Sequence, residues 1–202
     1  MDFGIEKSQE DDAVLYWKSK LADITPLQIP TDYPRPITID YHGASVEFEL
    51  PNELKTLSAK YNVTHYTTLL TGLAITLSRY TGQTDLTIGT PVANRQHPQL
   101  EHLIGFFVNT LVLRIQLDSN HTLSQCVSQI QNDLIEAQHH QDLPFEKLVD
   151  ELGVERDTSR HPVFQVMYTV QYGDVDDDTE EGSISLNYDV AKFDLSIALY
   201  IT

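Results

Sequence analysis

Apolar residues change their spacing several times along this chain of 202 residues, and each change predicts an element. Over 10–22 (EDDAVLYWKSKLA), Val14, Leu15, Trp17 and Leu21 recur at near-helical spacing behind acidic residues that suit a helix amino terminus. Prolines at 26, 30, 34 and 36 then forbid a regular element and predict an extended strap (LQIPTDYPRPITIDYHG). SVEFEL (45–50) alternates as a half-buried strand does. A short helix opening with proline is predicted over 51–61, and a longer one over 64–80, apolar on most sides and stopped by Gly82. Such an apolar helix belongs at the centre, between a sheet and other elements.

Strands follow at 86–92 (LTIGTPV) and 108–117 (VNTLVLRIQL), then helices at 122–139 and 144–152, the second with Pro144 in its first turn. VFQVMYTVQY (163–172), SISLNYDV (183–190) and FDLSIALYI (193–201) are rich in β-branched and aromatic residues and read as strands. Strands interleaved with helices, then strands in succession, define an α/β (α+β) class with a mixed sheet covered by helices.

Composition narrows the function classes. At 41% hydrophobic residues the chain can bury a real core, so disorder is excluded as a general description. Thirteen Lys+Arg against 30 Asp+Glu give a net charge of −17, with no clustered basic face, so neither nucleic acid nor an anionic membrane is an expected partner. No signal peptide and no membrane-length apolar window is present, and the single cysteine, Cys126, excludes an internal disulfide; a cytoplasmic location is expected. Cys126 lies in a helical stretch and reads as a buried small hydrophobe, since no His or Asp is placed to activate it. The acidic run DVDDDTEE (174–181) lacks the glycine that a calcium loop needs at its sixth position, which is Thr179; it reads as a solvated connection, and no metal is expected.

Three stretches carry more than generic patterning: IGFFVNTLVLR (104–114), HQDLPFEKLVDEL (140–152) and RDTSRHPVFQVMY (156–168). In this order and spacing they resemble the later motifs of condensation domains from non-ribosomal peptide synthetases. YWKSKL (16–21), HGASVEFEL (42–50) and SRYTGQTDLTIGTPVANR (78–95) agree. The resemblance implies two chloramphenicol acetyltransferase-like lobes around a tunnel. Carrier proteins bring a donor acyl or peptidyl thioester and an acceptor aminoacyl thioester to it on phosphopantetheine arms, and an amide forms. No cofactor bound directly by this chain is implied.

The family's catalytic sequence is HHxxxDG, and His139-His140 imitates only its start, because Pro144 and Phe145 stand where Asp and Gly belong. The resemblance therefore identifies residues 14–202 as the carboxy-terminal lobe, behind a lead-in of 1–13. The amino-terminal lobe that carries HHxxxDG, and the strand and helix that follow FDLSIALYIT in the family, are expected to lie outside the chain. Alone, this lobe is expected to be inactive.

By the same resemblance Asn109 lines the tunnel and positions the reacting groups. The other motif positions read as structural: Gly105 and Phe107; His140, Gln141, Asp142, Pro144 and Phe145; Arg156, Asp157, Ser159, Arg160, Pro162 and Phe164. His140 is placed as a cation at a helix carboxyl end, Asp142 as the cap of the next helix, and Pro144 and Phe145 as its anchors in the core. Arg156, Asp157, Ser159 and Arg160 suit a local charge and turn lattice, with an Arg facing the other lobe. His42 stands where many members carry Arg, which puts any ion pair made there across the lobes in question. Carrier proteins, adjacent synthetase domains and the amino-terminal lobe are the implied partners, and an exposed interlobe surface gives two copies a way to associate. The alternative function is a catalytically silent docking platform for carrier proteins or a tailoring enzyme. Epimerisation and heterocyclisation fit the motifs less well.

Overall fold

The computed structural model describes residues 7–51, 53–95, 98–100, 102–154, 157–173 and 190–201. Helix α1 (Lys7–Lys20) leads into the proline strap, which runs without regular structure to α2 (Leu54–Tyr61) and α3 (His65–Thr81). Thr64 caps α3 by accepting the Thr67 N–H, and Gly82 closes it in the left-handed conformation. Strands β1 (Asp85–Val92) and β2 (Asn109–Gln116) are followed by α4 (Leu123–His139), α5 (Phe145–Leu152), β3 (Val166–Tyr172) and β4 (Leu195–Ile201). Thr122 and Gln125 form a reciprocal capping box at the start of α4.

The described sheet has the order β2-β1-β3-β4. β1 pairs antiparallel with β2 and parallel with β3, and β3 runs parallel to β4, so the sheet is mixed. β1 is buried along most of its length, which requires cover on both faces. Alternation sorts the two faces. Leu86, Ile88 and Thr90 pair with Ile115, Leu113 and Leu111 and face α3, whose Tyr66 hydroxyl donates to Thr90 Oγ1 at 2.8 Å. On the opposite face, Thr87 Oγ1 donates to the Val163 carbonyl at 2.7 Å, and the Phe164 ring lies so close to Gly89 that a Cβ there would come within 2.3 Å of it. Helices α3 and α4 therefore cover one face; α5 and the 157–165 segment cover the other.

Two expectations need correction. SVEFEL (45–50) is not a strand: Val46 and Phe48 are exposed and the segment is unassigned between the strap and α2. Alternation marks a segment able to pair, but pairing requires a neighbouring edge as well. Pro144 does not anchor the core: it is exposed and occupies the position just before α5. The predicted strand over 183–190 lies outside the described residues except Val190, which makes an isolated antiparallel bridge to His42. The acidic run at 174–181 and Arg156 also lie outside them. No helix among the described residues is long and apolar enough to cross a membrane.

Candidate functional site

The α4–α5 joint, residues 140–145, is where the first two motifs meet. Asn109 opens β2 and directs its carboxamide into this joint. Nδ2 donates to the carbonyls of Gln141 and Leu143 at 2.7 and 2.8 Å. Oδ1 accepts from its neighbour Thr110 N at 2.9 Å and from Phe145 N at 3.1 Å. An amide has two donor hydrogens and two acceptor lone pairs, so backbone groups occupy all four positions. The last contact satisfies an otherwise orphaned N–H in the first turn of α5, which has no side-chain cap of its own. The capping role expected of Asp142 thus falls to Asn109, which lies 36 positions before the Phe145 whose N–H it accepts; no sequence rule for local caps reaches that far.

The other side of the joint rests on α1. Trp17, 1% exposed, donates its indole N–H to the His140 carbonyl at 2.9 Å. The Tyr16 ring stacks on the His140 imidazole with centroids 4.0 Å apart. Burial, and then the neighbouring His139, lower the His140 pKa below its ordinary 6.5. His140 is therefore neutral at pH 7, not the cation expected at the end of α4: the stacking that places it there also removes water from it.

The third motif closes the arrangement. Phe145 stacks on His161 and meets Phe164 edge-on, and Phe193 stacks on Phe164. Asp157 Oδ1 accepts from the backbone N–H of Ser159 at 2.8 Å and its hydroxyl at 2.6 Å, while Arg160 Nε lies 2.8 Å from Asp157 Oδ2. The Ser159 bonds hold the Asp157 carboxyl below its ordinary pKa. Arg35 from the strap donates to the Ser159 carbonyl at 3.2 Å and pairs with Asp194, which ties strap, loop and β4 start together. Pro162 is half-buried, and Phe164 is fully buried against Gly89.

Just before Asn109 the character changes. Leu103, Ile104, Phe106 and Val108 are exposed, Ile104 at 105% and Phe106 at 94% of full accessibility. Half-buried Phe107 lies under the Arg95 guanidinium, 4.4 Å from its centroid, and Arg95 also donates to the Leu100 carbonyl and, at 2.8 Å, to that of Leu103. Gly105 gives the Phe107 ring room; a Cβ there would come within 2.9 Å of it. The chain thus holds an apolar loop outward on a base tied together by Arg95.

Sequence reasoning missed Arg114, which binds Asp85 through both Nε and Nη2 and donates Nη1 to the Lys20 and Ala22 carbonyls at 3.0 and 2.7 Å. Its signal was a charged residue inside the apolar run of β2. His42 pairs with neighbouring Asp40 at 2.6 Å on the surface. Among the described residues no group of three or more His, Cys, Asp or Glu is placed to hold a metal ion.

A mixed sheet between helical layers, with three motifs converging on one joint, has the architecture of a chloramphenicol acetyltransferase-like lobe. The chain belongs to the condensation-domain family, whose profile matches residues 4–202. It is 40% identical over 194 residues to malpibaldin synthetase of Mortierella alpina, covering 92% of this chain but 4% of that protein. In structure it is similar to the X-domain from teicoplanin biosynthesis, with a TM-score of 0.81 and 27% identity over 98% of this chain and 46% of that one. That X-domain is also known in a complex with OxyB, matched at a TM-score of 0.70 and 28% identity over 82% of this chain and 38% of that one. A four-domain nonribosomal peptide synthetase bound to AMP and glycine matches at a TM-score of 0.75 and 30% identity, over 82% of this chain and 13% of that one. The chain therefore spans less than half the length of each of these proteins, and only 4% of malpibaldin synthetase.

Proposed function

We propose that residues 14–202 form the carboxy-terminal lobe of an amide-forming condensation domain, with 1–13 as its lead-in. The observation that carries this reading is the family match over 4–202 in a chain without HHxxxDG. In the proposed reaction the acceptor amine nitrogen attacks the donor thioester carbonyl, and a tetrahedral oxyanion collapses as the C–S bond breaks. The amine loses a proton, and the carrier's phosphopantetheine thiol is released. The histidine that orients or deprotonates the amine belongs to the other lobe. This chain's share is positioning: Asn109 holds the 140–145 joint from the base of the exposed loop 103–108, and that apolar loop is the proposed seat of the amino-terminal lobe. A second copy of the chain is the other proposed occupant of that surface. The motif positions Gly105, Phe107, His140, Gln141, Asp142, Phe145, Asp157, Ser159, Arg160, Pro162 and Phe164 support this frame rather than touch substrate; we extend the same role to Pro144 and Arg156. Donor and acceptor carriers and adjacent synthetase domains are the proposed partners. The cytoplasm is the proposed compartment; a lone cysteine, which leaves no internal disulfide, suits a reducing cytosol.

The test is reconstitution. This chain, an amino-terminal lobe bearing HHxxxDG, and both lobes together are incubated with donor- and acceptor-loaded carrier proteins, and amide product is followed by mass spectrometry. Product is expected only from the pair. Amide formation by this chain alone would overturn the assignment. A second reading, a silent docking platform, is favoured by the match to the X-domain over 98% of the chain. It predicts that the intact parent protein retains a tailoring enzyme in a pull-down while forming no amide.

A further inference from the structure

The carboxyl ends of α1 and α5 and the 157–165 segment enclose a cleft of about 810 Å³, on the side of the sheet away from α3. Its size and chemistry match those of small-ligand sites, which are mostly apolar with a few placed polar groups. Leu21, Ile24, Leu152 and Val163 supply apolar lining. Gln165, also in the lining, is 1% exposed. Its Nε2 donates to the His161 carbonyl at 2.8 Å, whereas Oε1 is buried and takes no hydrogen bond from any described residue. Rotating the amide by half a turn would set its oxygen against the His161 carbonyl, so the orientation is determined and the unsatisfied atom is an acceptor.

The backbone around Gln165 is held in an unusual form. Val163 has a φ of 71° and Phe164 N donates to the Pro162 carbonyl at 2.9 Å, which makes a γ-turn of the strained kind that a β-branched residue avoids. Thr87 pins that turn to β1. Of the charged residues lining the cleft, Lys18 pairs with Glu151 at 2.6 Å and Arg160 lies 2.8 Å from Asp157, though its Nε completes no hydrogen bond among the described residues, and Asp23 adds a third carboxylate. Burial lowers the His161 pKa, so its imidazole adds no charge at pH 7. With three carboxylates against two cations in the lining, a phosphate or carboxylate ligand would meet net negative charge.

We propose that the cleft binds the peptide group of an extended, uncharged apolar segment, which donates its N–H to Gln165 Oε1. A peptide supplies the missing donor without charge, its flanking side chains cover the apolar lining, and the Arg160 guanidinium along the same lining favours its carbonyl oxygen. The inference rests on the cleft and not on the amide-forming reading.

The test uses the whole chain, isotopically labelled, with two probes followed by NMR: N-acetyl-leucyl-leucine N-methylamide, and its ester analogue lacking the central N–H. The amide should shift the methyl signals of Leu21, Ile24 and Val163 and the side-chain amide of Gln165 saturably, and the ester should bind at least about tenfold more weakly. Gln165→Met, which keeps the volume, should bind both probes alike. Equal affinity of amide and ester for the unaltered chain, or no saturable shift because a bound water stays on Gln165, would overturn the proposal. So would a Gln165→Met chain that still prefers the amide. The amide–ester comparison is made on the unaltered chain, so it stands whether or not the variant folds.

Discussion

At the scale of the residue, Asn109 joins two motifs 32 to 36 positions apart with one carboxamide. Asn109→Ala would leave the Gln141 and Leu143 carbonyls and the Phe145 N–H without their partner. Each net hydrogen bond is worth about 0.5–1.5 kcal/mol, and stranded groups add to that, so a loss of about 2–4 kcal/mol is expected in the urea midpoint. Asn109→Asp should cost more, because a carboxylate cannot donate and would face two carbonyl oxygens. An Ala variant within about 0.5 kcal/mol of the parent would show that the joint does not depend on this side chain. The identity of Asn109 as a special position was legible in FVNT; its partners were not, because they come from a turn folded back from the end of α4. The doublet His139-His140 was legible too, and what distinguishes its members is burial alone: His139 is exposed, His140 is stacked under Tyr16.

At the scale of the element, α1 is held by two kinds of contact whose sizes differ. Lys18–Glu151, Lys20–Asp133 and Glu10–Lys147 are ion pairs at or near the surface, where water and salt screen them and leave each a small contribution. Trp17 is buried and hydrogen-bonded. Trp17→Ala should therefore cost about 3–5 kcal/mol, and Trp17→Phe, which loses mainly the N–H, about 1–2 kcal/mol. Lys18→Ala should stay within about 0.5 kcal/mol of the parent. Urea denaturation of the three variants checks the ranking, and a lysine variant as damaging as Trp17→Ala would refute it. Helices with their own caps, such as α3 and α4, were readable to within a residue or two because their signals are local. SVEFEL was misread for the opposite reason: a strand exists only with a neighbour.

At the scale of the whole molecule, pH acts through buried histidines and paired carboxylates. His161 and His140 both sit below the ordinary value of 6.5, chiefly through burial. As pH falls through about 6.5 the unfolded chain takes up these protons first. Stability is therefore lost below that point and levels off once pH passes below the folded values. Asp85, lowered by its hydrogen bonds to Arg114, adds a second loss as pH drops through its folded pKa, below 3.8. Comparing the parent with His161→Phe isolates the first step: between pH 7 and 5 the parent should lose stability relative to the variant, measured by urea midpoints. A constant difference across that range would remove His161 from the account. The comparison also cancels the general effect of the −17 net charge, which the two chains share closely.

Apart from the strand misread at 45–50 and the one predicted over 183–190, outside the described residues but for Val190, the order of helices and strands, the mixed sheet and the family itself were determined by the sequence alone, because periodicity, caps and three spaced motifs are written in neighbouring residues. Only the tertiary structure decided that Asn109 caps a helix from another element, that Arg114 clasps the end of α1, and that Gln165, with an unsatisfied buried acceptor, lies in the lining of a cleft. Those contacts join residues far apart in the chain, and their energies depend on what surrounds each group after folding, which no local pattern encodes.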